Sequence, residues 1–233
     1  LSGRDACQFA AGAMPSDTIG KCVGDAIPIE HIVVLMQENH PFDQYFGHLK
    51  GHGQDDVDVP TTDPSVPSAP DAGVPPDPIV WHHETAYCVA DTDHTWVGTH
   101  GEWDNGANDG FGKMNVIATD RTGYRAMGYY DQTDMPVYYD LVATFGTSDR
   151  YFSSLLGPTF PNRLFAYAGT SFGVVSTLAG PRNGLAPDGV PNIFKSLSAA
   201  GGSWKSYKSD VSASFLFPDF TGDPAQAAHF VTV

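Results

Sequence analysis

Three clusters of this sequence have residue types and spacing that could do chemistry. The first is Gln37-Glu-Asn-His-Pro-Phe-Asp-Gln-Tyr-Phe-Gly47, where Glu38 and Asn39 directly follow an apolar, β-branched run. A carboxylate and an amide carbonyl are hard donors, suited to Ca, Mg, Mn or Zn more than to soft metals. Glu-Asn after a strand is also an ordinary turn, but polar and aromatic groups gather here beyond what packing requires. The second cluster is Gly157-Pro-Thr-Phe-Pro161, which suits a helix opening with Thr159 at its N-cap. Thr159 then reads either as a capping hydroxyl alone or as a nucleophile, where free N–H groups and the helix dipole hold an anion at phosphorus. Threonine is a poor nucleophile near neutral pH, so the second reading needs a divalent cation to favour the alkoxide and to neutralise phosphoryl oxygens.

The third cluster is Asp91-Thr-Asp-His-Thr-Trp-Val-Gly-Thr-His100-Gly-Glu-Trp-Asp-Asn105, with His94 and His100 six residues apart. Either histidine could donate to a phosphate oxygen or protonate a leaving alcohol. Their spacing excludes one shared face of a regular helix, so a His-x-x-x-His metal site is not indicated. His82 and His83, beside Trp81, read as structural.

These clusters need elements to position them. Ile27 to Met36 reads as the approach and body of a strand, with Ile32–Met36 apolar enough to be covered on both faces as in a parallel sheet. Pro28 fits a strand's start. Glu38 and Asn39 then sit at the strand's carboxyl end, where open α/β sheets build ligand sites. Residues 54–78 are rich in Pro and Asp and read as a surface loop. Asp55, Asp56 and Asp58 could hold calcium there, but the Gly and distal Glu of an EF-hand are missing, which favours a solvated acidic loop. From Pro136, the spacing of Val137, Tyr138, Leu141, Val142 and Phe145 predicts a helix with that face buried. Asp149 to Leu156 reads as a second strand, Pro161 to Tyr167 as a helix ending near Gly169, Ile193 to Ala200 as a helix closed by Gly201-Gly202, and Ser203 to Tyr207 as a further strand. This alternation predicts an α/β sandwich.

The 233 residues are 41% hydrophobic, enough for one large domain with a real core. Twelve basic against 27 acidic residues give a net charge of -15, which opposes a broad grip on nucleic acid or anionic membrane. Any phosphate must be handled locally, and a bound cation is the simplest device for attracting an anion to an acidic chain. Cys7 and Cys22 close a Gly-, Ala- and Ser-rich leader at residues 1–26, and either a disulfide or two free thiols fits them; Cys88 is then odd and either buried or paired outside the chain. No apolar run is long enough to span a membrane, and the start at Leu1 fits the mature form of an exported protein.

Five segments in order resemble the bacterial phospholipase C and acid phosphatase phosphoesterase family of the alkaline-phosphatase superfamily. They are His31 through Gly47, Asp93-His-Thr-Trp96, Met127-Gly-Tyr-Tyr-Asp131, Ser148-Asp-Arg-Tyr-Phe152 and Gly157-Pro-Thr-Phe-Pro-Asn-Arg-Leu164. Ala200-Gly-Gly-Ser-Trp-Lys205 extends the match, which runs from about residue 28 to residue 207. The resemblance implies a three-layer α/β/α sandwich over residues 27–233 and a metal-bound hydroxyl that forms a phosphoryl-enzyme intermediate. Glu38 and Asn39 then look like metal ligands, Thr159 like the nucleophile and a further ligand, and His94 like a phosphate-stabilising or acid group. Arg163 and Asn162 share the Gly-Pro-Thr-x-Pro-Asn-Arg pattern; Arg163 either clamps phosphate oxygens or fastens a helix. A phospholipase C type of diester hydrolysis is favoured slightly over a monoesterase, with Trp96, Trp103, Phe111, Tyr129 and Tyr130 offering an apolar approach or a choline box.

Two departures matter. His40-Pro41 stands where the family commonly has Arg-Ser, and nothing after Trp204 supplies the Gly-rich segment with the family's remaining metal-binding aspartates and further histidine. The expectation is therefore the N-terminal part of a secreted or periplasmic hydrolase, completed by a C-terminal half or a second chain. A non-catalytic exported binding or scaffold module is the alternative. A sulfatase-like hydrolase is disfavoured, because no Cys-x-Pro-x-Arg motif occurs.

Overall fold

Prolines open and glycines close several of the helices in this chain. A computed structural model describes residues 29–37, 39–70, 77–177, 184–209 and 213–233. The expected leader at 1–26, its Cys7 and Cys22, and Glu38 lie outside the described residues. Residues 1–40 and 41–233 form two separate units. In the first, residues 29–37 carry neither helix nor strand, and Ile32, Val33, Val34 and Leu35 are 77–90% exposed. The expected buried strand at 32–36 is therefore not formed. A β-branched run becomes a strand only when neighbouring strands take its N–H and C=O groups, and no described strand pairs with it.

In the second unit helices and short strands alternate, in keeping with an α/β chain. The strands make three separate two-stranded sheets rather than one central sheet, so the described residues do not build a layered sandwich. β1 (Ser65–Pro67) and β2 (Pro78–Val80) pair antiparallel, with Val66 opposite Ile79. β1 lies inside the segment 54–78 expected to be a surface loop, and β2 begins at its last residue; the prolines of the pair sit at strand ends, where a missing donor is tolerated. Val66 and Ile79 are buried with Trp81 and Met127, and Phe111 and Tyr129 pack on them. β3 (His82–His83) and β4 (Gly128–Tyr129) pair in parallel.

Helix α1 (Phe42–Phe46) shares a second cluster with Leu49, Val57, Tyr139 and Val142. Helices α2 (Trp96–Trp103) and α3 (Phe111–Met114) pack on each other. The expected helix from Pro136 forms as α4 (Pro136–Thr144), with proline at its first position. Its buried side is Tyr139 and Val142, whereas Val137, Leu141 and Phe145 are 66%, 50% and 82% exposed. The expected face is thus turned by about one residue, because the partners available are Leu49 and Val57. Asp149 to Leu156 has no strand, and Tyr151 and Phe152 are exposed.

Helix α5 (Thr159–Ala168) starts two residues earlier than expected and ends at Gly169, whose φ of 72° places it in the left-handed region that glycine adopts without a Cβ clash. Pro161 fits its first turn, where N–H groups have no helical partner. Helix α6 (Ile193–Ala199) is capped by Asn192, whose side chain accepts from Lys195 N at 3.0 Å, and Gly201 follows at φ 71°. The last expected strand begins later than its sequence suggested: β5 (Ser206–Lys208) pairs in parallel with β6 (Phe230–Thr232). Leu164 of α5 is fully buried in the third cluster with Ala186, Leu216, Phe217 and Phe220 of α7 (Pro218–Thr221) and the residues before it. Trp204 stacks on His229 at 4.0 Å and meets Phe194 at 5.0 Å, joining β5 and β6 to that cluster.

Leu164→Ala leaves a cavity that helix ends anchored at Pro158 and Gly169 cannot close. We expect a loss of about 2–5 kcal/mol in urea denaturation. A loss below about 1 kcal/mol, the range of a volume-conserving swap, would show that α5 is not held by this cluster.

Candidate active site

The Asp93-His-Thr-Trp96 segment folds as an Asx turn feeding a capped helix. Asp93 Oδ1 accepts from Thr95 N at 2.9 Å, and Thr95 Oγ1 accepts from Gly98 N at 3.0 Å as the N-cap of α2. Glycine at 98 is required, since a Cβ there would lie 2.2 Å from the Asp93 carboxyl. His94 is thereby fixed one residue before the cap, half-exposed, with Nδ1 3.0 Å from Thr92 O and 3.6 Å from the Asp91 carboxylate. With the hydrogen on Nδ1, Nε2 is left as the acceptor. His100 lies inside α2; its Nδ1 is 2.7 Å from Trp96 O and its ring sits 4.1 Å from the Trp96 ring.

Behind this segment lies Asn115, 1% exposed and with its amide filled on both sides. Its Oδ1 accepts from Asp93 N at 2.7 Å, and its Nδ2 donates to the Glu102 carboxylate at 2.7 Å and to Phe111 O at 2.9 Å. Arg125 reaches the same place from the other side, donating to Ala90 O at 3.1 Å, to Asp91 O at 2.9 Å and to the carbonyl of Asn115. Asp120 anchors the guanidinium at 3.3 Å and accepts backbone N–H bonds from Gly123, Tyr124 and Arg125, each at 3.0 Å. Burial pushes the Asp120 carboxyl up, but these donors outweigh it and hold it below the usual range. Glu102 is the opposite case. Burial, with Asp93 adding, raises its pKa to about 7 against the opposing pull of Asn115 and His94.

Thr159 is the first helical residue of α5, with Pro158 at the N-cap position and no side-chain cap, so it is not the capping hydroxyl that its sequence suggested. The Gly157-Pro158 loop before it is clamped by Asn162. Oδ1 accepts from Leu155 N at 3.0 Å, while Nδ2 donates to the carbonyls of Leu155, Gly157 and Pro158 at 2.9, 3.1 and 3.1 Å. Arg163 follows Thr159 by four residues and so shares its helix face. The His94 segment lies against this loop: Trp96 Cε3 is 3.6 Å from where a Cβ at Gly157 would stand. Asn39 belongs to the first unit.

Of the aromatic residues expected to line an approach, Phe111 and Tyr129 pack on the β1–β2 core, and Tyr130 is buried with its hydroxyl donating to Ala86 O at 2.6 Å. Trp96 and Trp103 stay partly exposed. In the acidic loop, Asp55 accepts from Gly51 N at 3.0 Å and Asp58 pairs with Arg150 at 2.7 Å, so both carboxylates have protein partners. Cys88 is exposed and free. His83, read as structural, meets Asp134 at 2.7 Å and Asp131 at 3.9 Å. A groove lined by Asp77, Ile79, Trp81, His82 and Tyr124 holds none of the candidate residues. The roles of Glu102, Asn115 and Arg125 were missed. They act across gaps in sequence; the nearest signal was Glu102 within the His94–Trp103 cluster.

The profile described as the Phosphoesterase family matches residues 29–231. Among curated relatives, the chain is 40% identical over 162 residues to phospholipase C B of Mycobacterium tuberculosis, covering 63% of this chain and 30% of that protein. It is 35% identical over 219 residues to phospholipase C A of the same organism, covering 84% and 41%. Non-specific phospholipase C4 of Arabidopsis thaliana is 30% identical over 196 residues, covering 77% and 36%. The chain thus spans less than half the length of these relatives. Among the described residues no helix is long and apolar enough to cross a membrane.

The raised Glu102 carboxyl gives a pH signature. Its folded pKa of about 7 exceeds the ordinary 4.5, so its contribution to stability is full below pH 4.5 and is lost as pH rises through 7. Glu102→Gln keeps the hydrogen-bonding shape without the titration. We expect its melting temperature to fall less between pH 5 and pH 8 than that of the parent; parallel pH profiles would remove Glu102 from the network.

Proposed function

The chain belongs to the phosphoesterase family, and from that premise we propose that it hydrolyses phosphate esters through the hydroxyl of Thr159, with diesters of the phospholipase C type ahead of monoesters. The observation that carries the reading is the position of Thr159. It opens a ten-residue helix, on one face with Arg163, behind a loop that Asn162 clamps and Trp96 covers. First-turn N–H groups, which no carbonyl of the helix itself takes, and the positive end of the helix dipole favour a phosphate there, and Arg163 would add a two-pronged donor to its oxygens.

By donor type, the carboxylate of Glu38, the amide carbonyl of Asn39 and the hydroxyl of Thr159 are each hard oxygen ligands of the kind that Ca, Mg, Mn or Zn takes, and we assign them to the cation on the family resemblance. When bound, such a cation supplies the charge that favours the Thr159 alkoxide and offsets the phosphoryl oxygens. Thr159 Oγ loses its proton to solvent and forms the new bond to phosphorus as the ester oxygen leaves, and His94, protonated on both ring nitrogens for this step, gives that oxygen a proton. Water then attacks phospho-Thr159, giving one proton to His94 while the departing Thr159 oxygen takes one from solvent, which releases phosphate or phosphomonoester and restores the hydroxyl. Asn162 acts as a positioning residue, and His100, tied to Trp96, orients that ring.

The names of the relatives support the diester preference, and the partly exposed rings of Trp96 and Trp103 suit a choline headgroup. The exposed apolar run Ile32–Leu35, with Tyr151 and Phe152, suits burial by a complementary C-terminal half or second chain of a secreted or periplasmic enzyme.

The test uses the longest protein that carries this sequence, with p-nitrophenylphosphorylcholine and p-nitrophenyl phosphate as substrates. Thr159→Ala should lower turnover by about a thousandfold or more with an unchanged melting temperature, and Thr159→Ser should restore part of it. Turnover unchanged in Thr159→Ala would exclude the nucleophile. A parent protein that binds phosphocholine but hydrolyses neither substrate would favour the binding-module alternative.

A further inference from the structure

The turn Asp131-Gln-Thr-Asp134, which enters α4, faces the end of β3. Asp131 Oδ1 is held by Thr133 N at 2.7 Å and by its hydroxyl at 2.6 Å, while Asp131 N donates to Asp134 Oδ2 at 2.9 Å. Asp131 Oδ2 and Asp134 Oδ2, the latter also taking the Asp131 N–H, face His83 Nε2 at 3.9 and 2.7 Å, and the three ligand atoms all lie within 4.8 Å of one another. Small side-chain adjustments would bring the three donors to about 2 Å from one cation, since His83 and Asp134 now meet at hydrogen-bond distance. Among the described residues, neither carboxylate pairs with a lysine or arginine. Glu84 and Asp63 add further negative charge to the neighbourhood of His83 and Tyr129.

A second observation points to a missing ligand. Tyr139 of α4 is 2% exposed, yet its buried hydroxyl has no hydrogen-bond partner. Burial first, and then the charges of Asp131 and Asp134, push its phenol up to about 12. His48 Nε2 is likewise buried and unpartnered, and His48 acts on Asp131 while its ring packs on Tyr129 at 4.2 Å. Native structures rarely leave two such buried groups unsatisfied.

We propose that His83, Asp131 and Asp134 bind a divalent cation of the zinc class, at a site separate from Glu38 and Asn39. An imidazole nitrogen with two carboxylate oxygens favours Zn over Ca or Mg, and three protein ligands leave room for water. Water on the cation gives the Tyr139 hydroxyl and His48 the partners they lack. The cation displaces the proton that His83 shares with Asp134 and draws Asp131 in as well. It thereby ties the β3–β4 pair to the entrance of α4, whose Tyr139 and Val142 hold Leu49 and Val57.

The full chain is stripped with EDTA and titrated with Zn2+ by calorimetry and with Co2+ by visible absorption. The parent should bind one equivalent that Glu38→Gln retains and that His83→Gln and Asp131→Asn each weaken at least tenfold. The intense absorption of a low-coordinate cobalt centre should vanish in the same two variants. Asp131→Asn keeps its turn hydrogen bonds, and circular dichroism shows whether each variant is folded. Binding unchanged in both folded variants, loss of the equivalent in Glu38→Gln alone, or no Zn2+ binding at micromolar concentrations would each overturn the site. None of these outcomes depends on catalysis, so failure here leaves the hydrolase reading to its own test.

Discussion

One buried amide holds the candidate chemistry of this chain together. Asn115 is the meeting point of Asp93, Glu102 and Phe111 through its side chain, and of Arg125 through its carbonyl. Arg125 in turn fixes the carbonyls of residues 90 and 91, so the backbone on either side of Thr92 is gripped before His94 begins. A buried polar network of this kind is rigid because each member is filled, and removing one partner leaves the rest desolvated without compensation. Asp120 completes it by pairing with the guanidinium and collecting the N–H groups of the Gly123 turn. His94 is therefore placed by an irregular loop that has the fixity of a regular element.

The Thr159 loop is built on the same plan with different parts. Asn162 takes one N–H and three carbonyls from residues 155–158, closing the loop onto the helix it precedes. Trp96 then lies between the two systems, at the start of one helix and against the loop of the other. The two amide clamps explain how short elements can hold side chains for chemistry where no central sheet is present among the described residues. They also give Asn162 a positional rather than a chemical part in the Gly-Pro-Thr-x-Pro-Asn-Arg pattern.

What was legible in the sequence was local. Pro136 opening one helix, Gly169 closing another and Gly201 closing a third depend on φ preferences that one residue carries with it. The family pattern made Thr159, His94 and Arg163 stand out. What was not legible depends on partners. Ile32–Leu35 has strand composition but no ladder to join, and the buried side of α4 was decided by Leu49 and Val57, more than eighty residues earlier. The β1–β2 pair was hidden because prolines mask a strand pattern while remaining compatible with strand ends. Asn115 and Arg125 reach residues 22 to 35 positions away, a range over which no spacing rule operates.

Charge draws these parts into one constraint. With 27 acidic against 12 basic residues, a phosphate gains little from the chain as a whole. Arg125, Arg150 and Lys195 are already set against Asp120, Asp58 and Asp219, which neutralises much of their long-range pull. An anion must therefore be met over a few ångströms, by helix N–H groups, by Arg163 or by a bound cation. The same surplus of carboxylates makes cations natural companions of the chain, and among the described residues the imidazole–carboxylate cluster of His83, Asp131 and Asp134 is the place proposed for one. An imidazole with two carboxylates at a strand end favours holding backbone in place, which sets that cluster apart from the hard oxygen donors suited to chemistry at phosphorus.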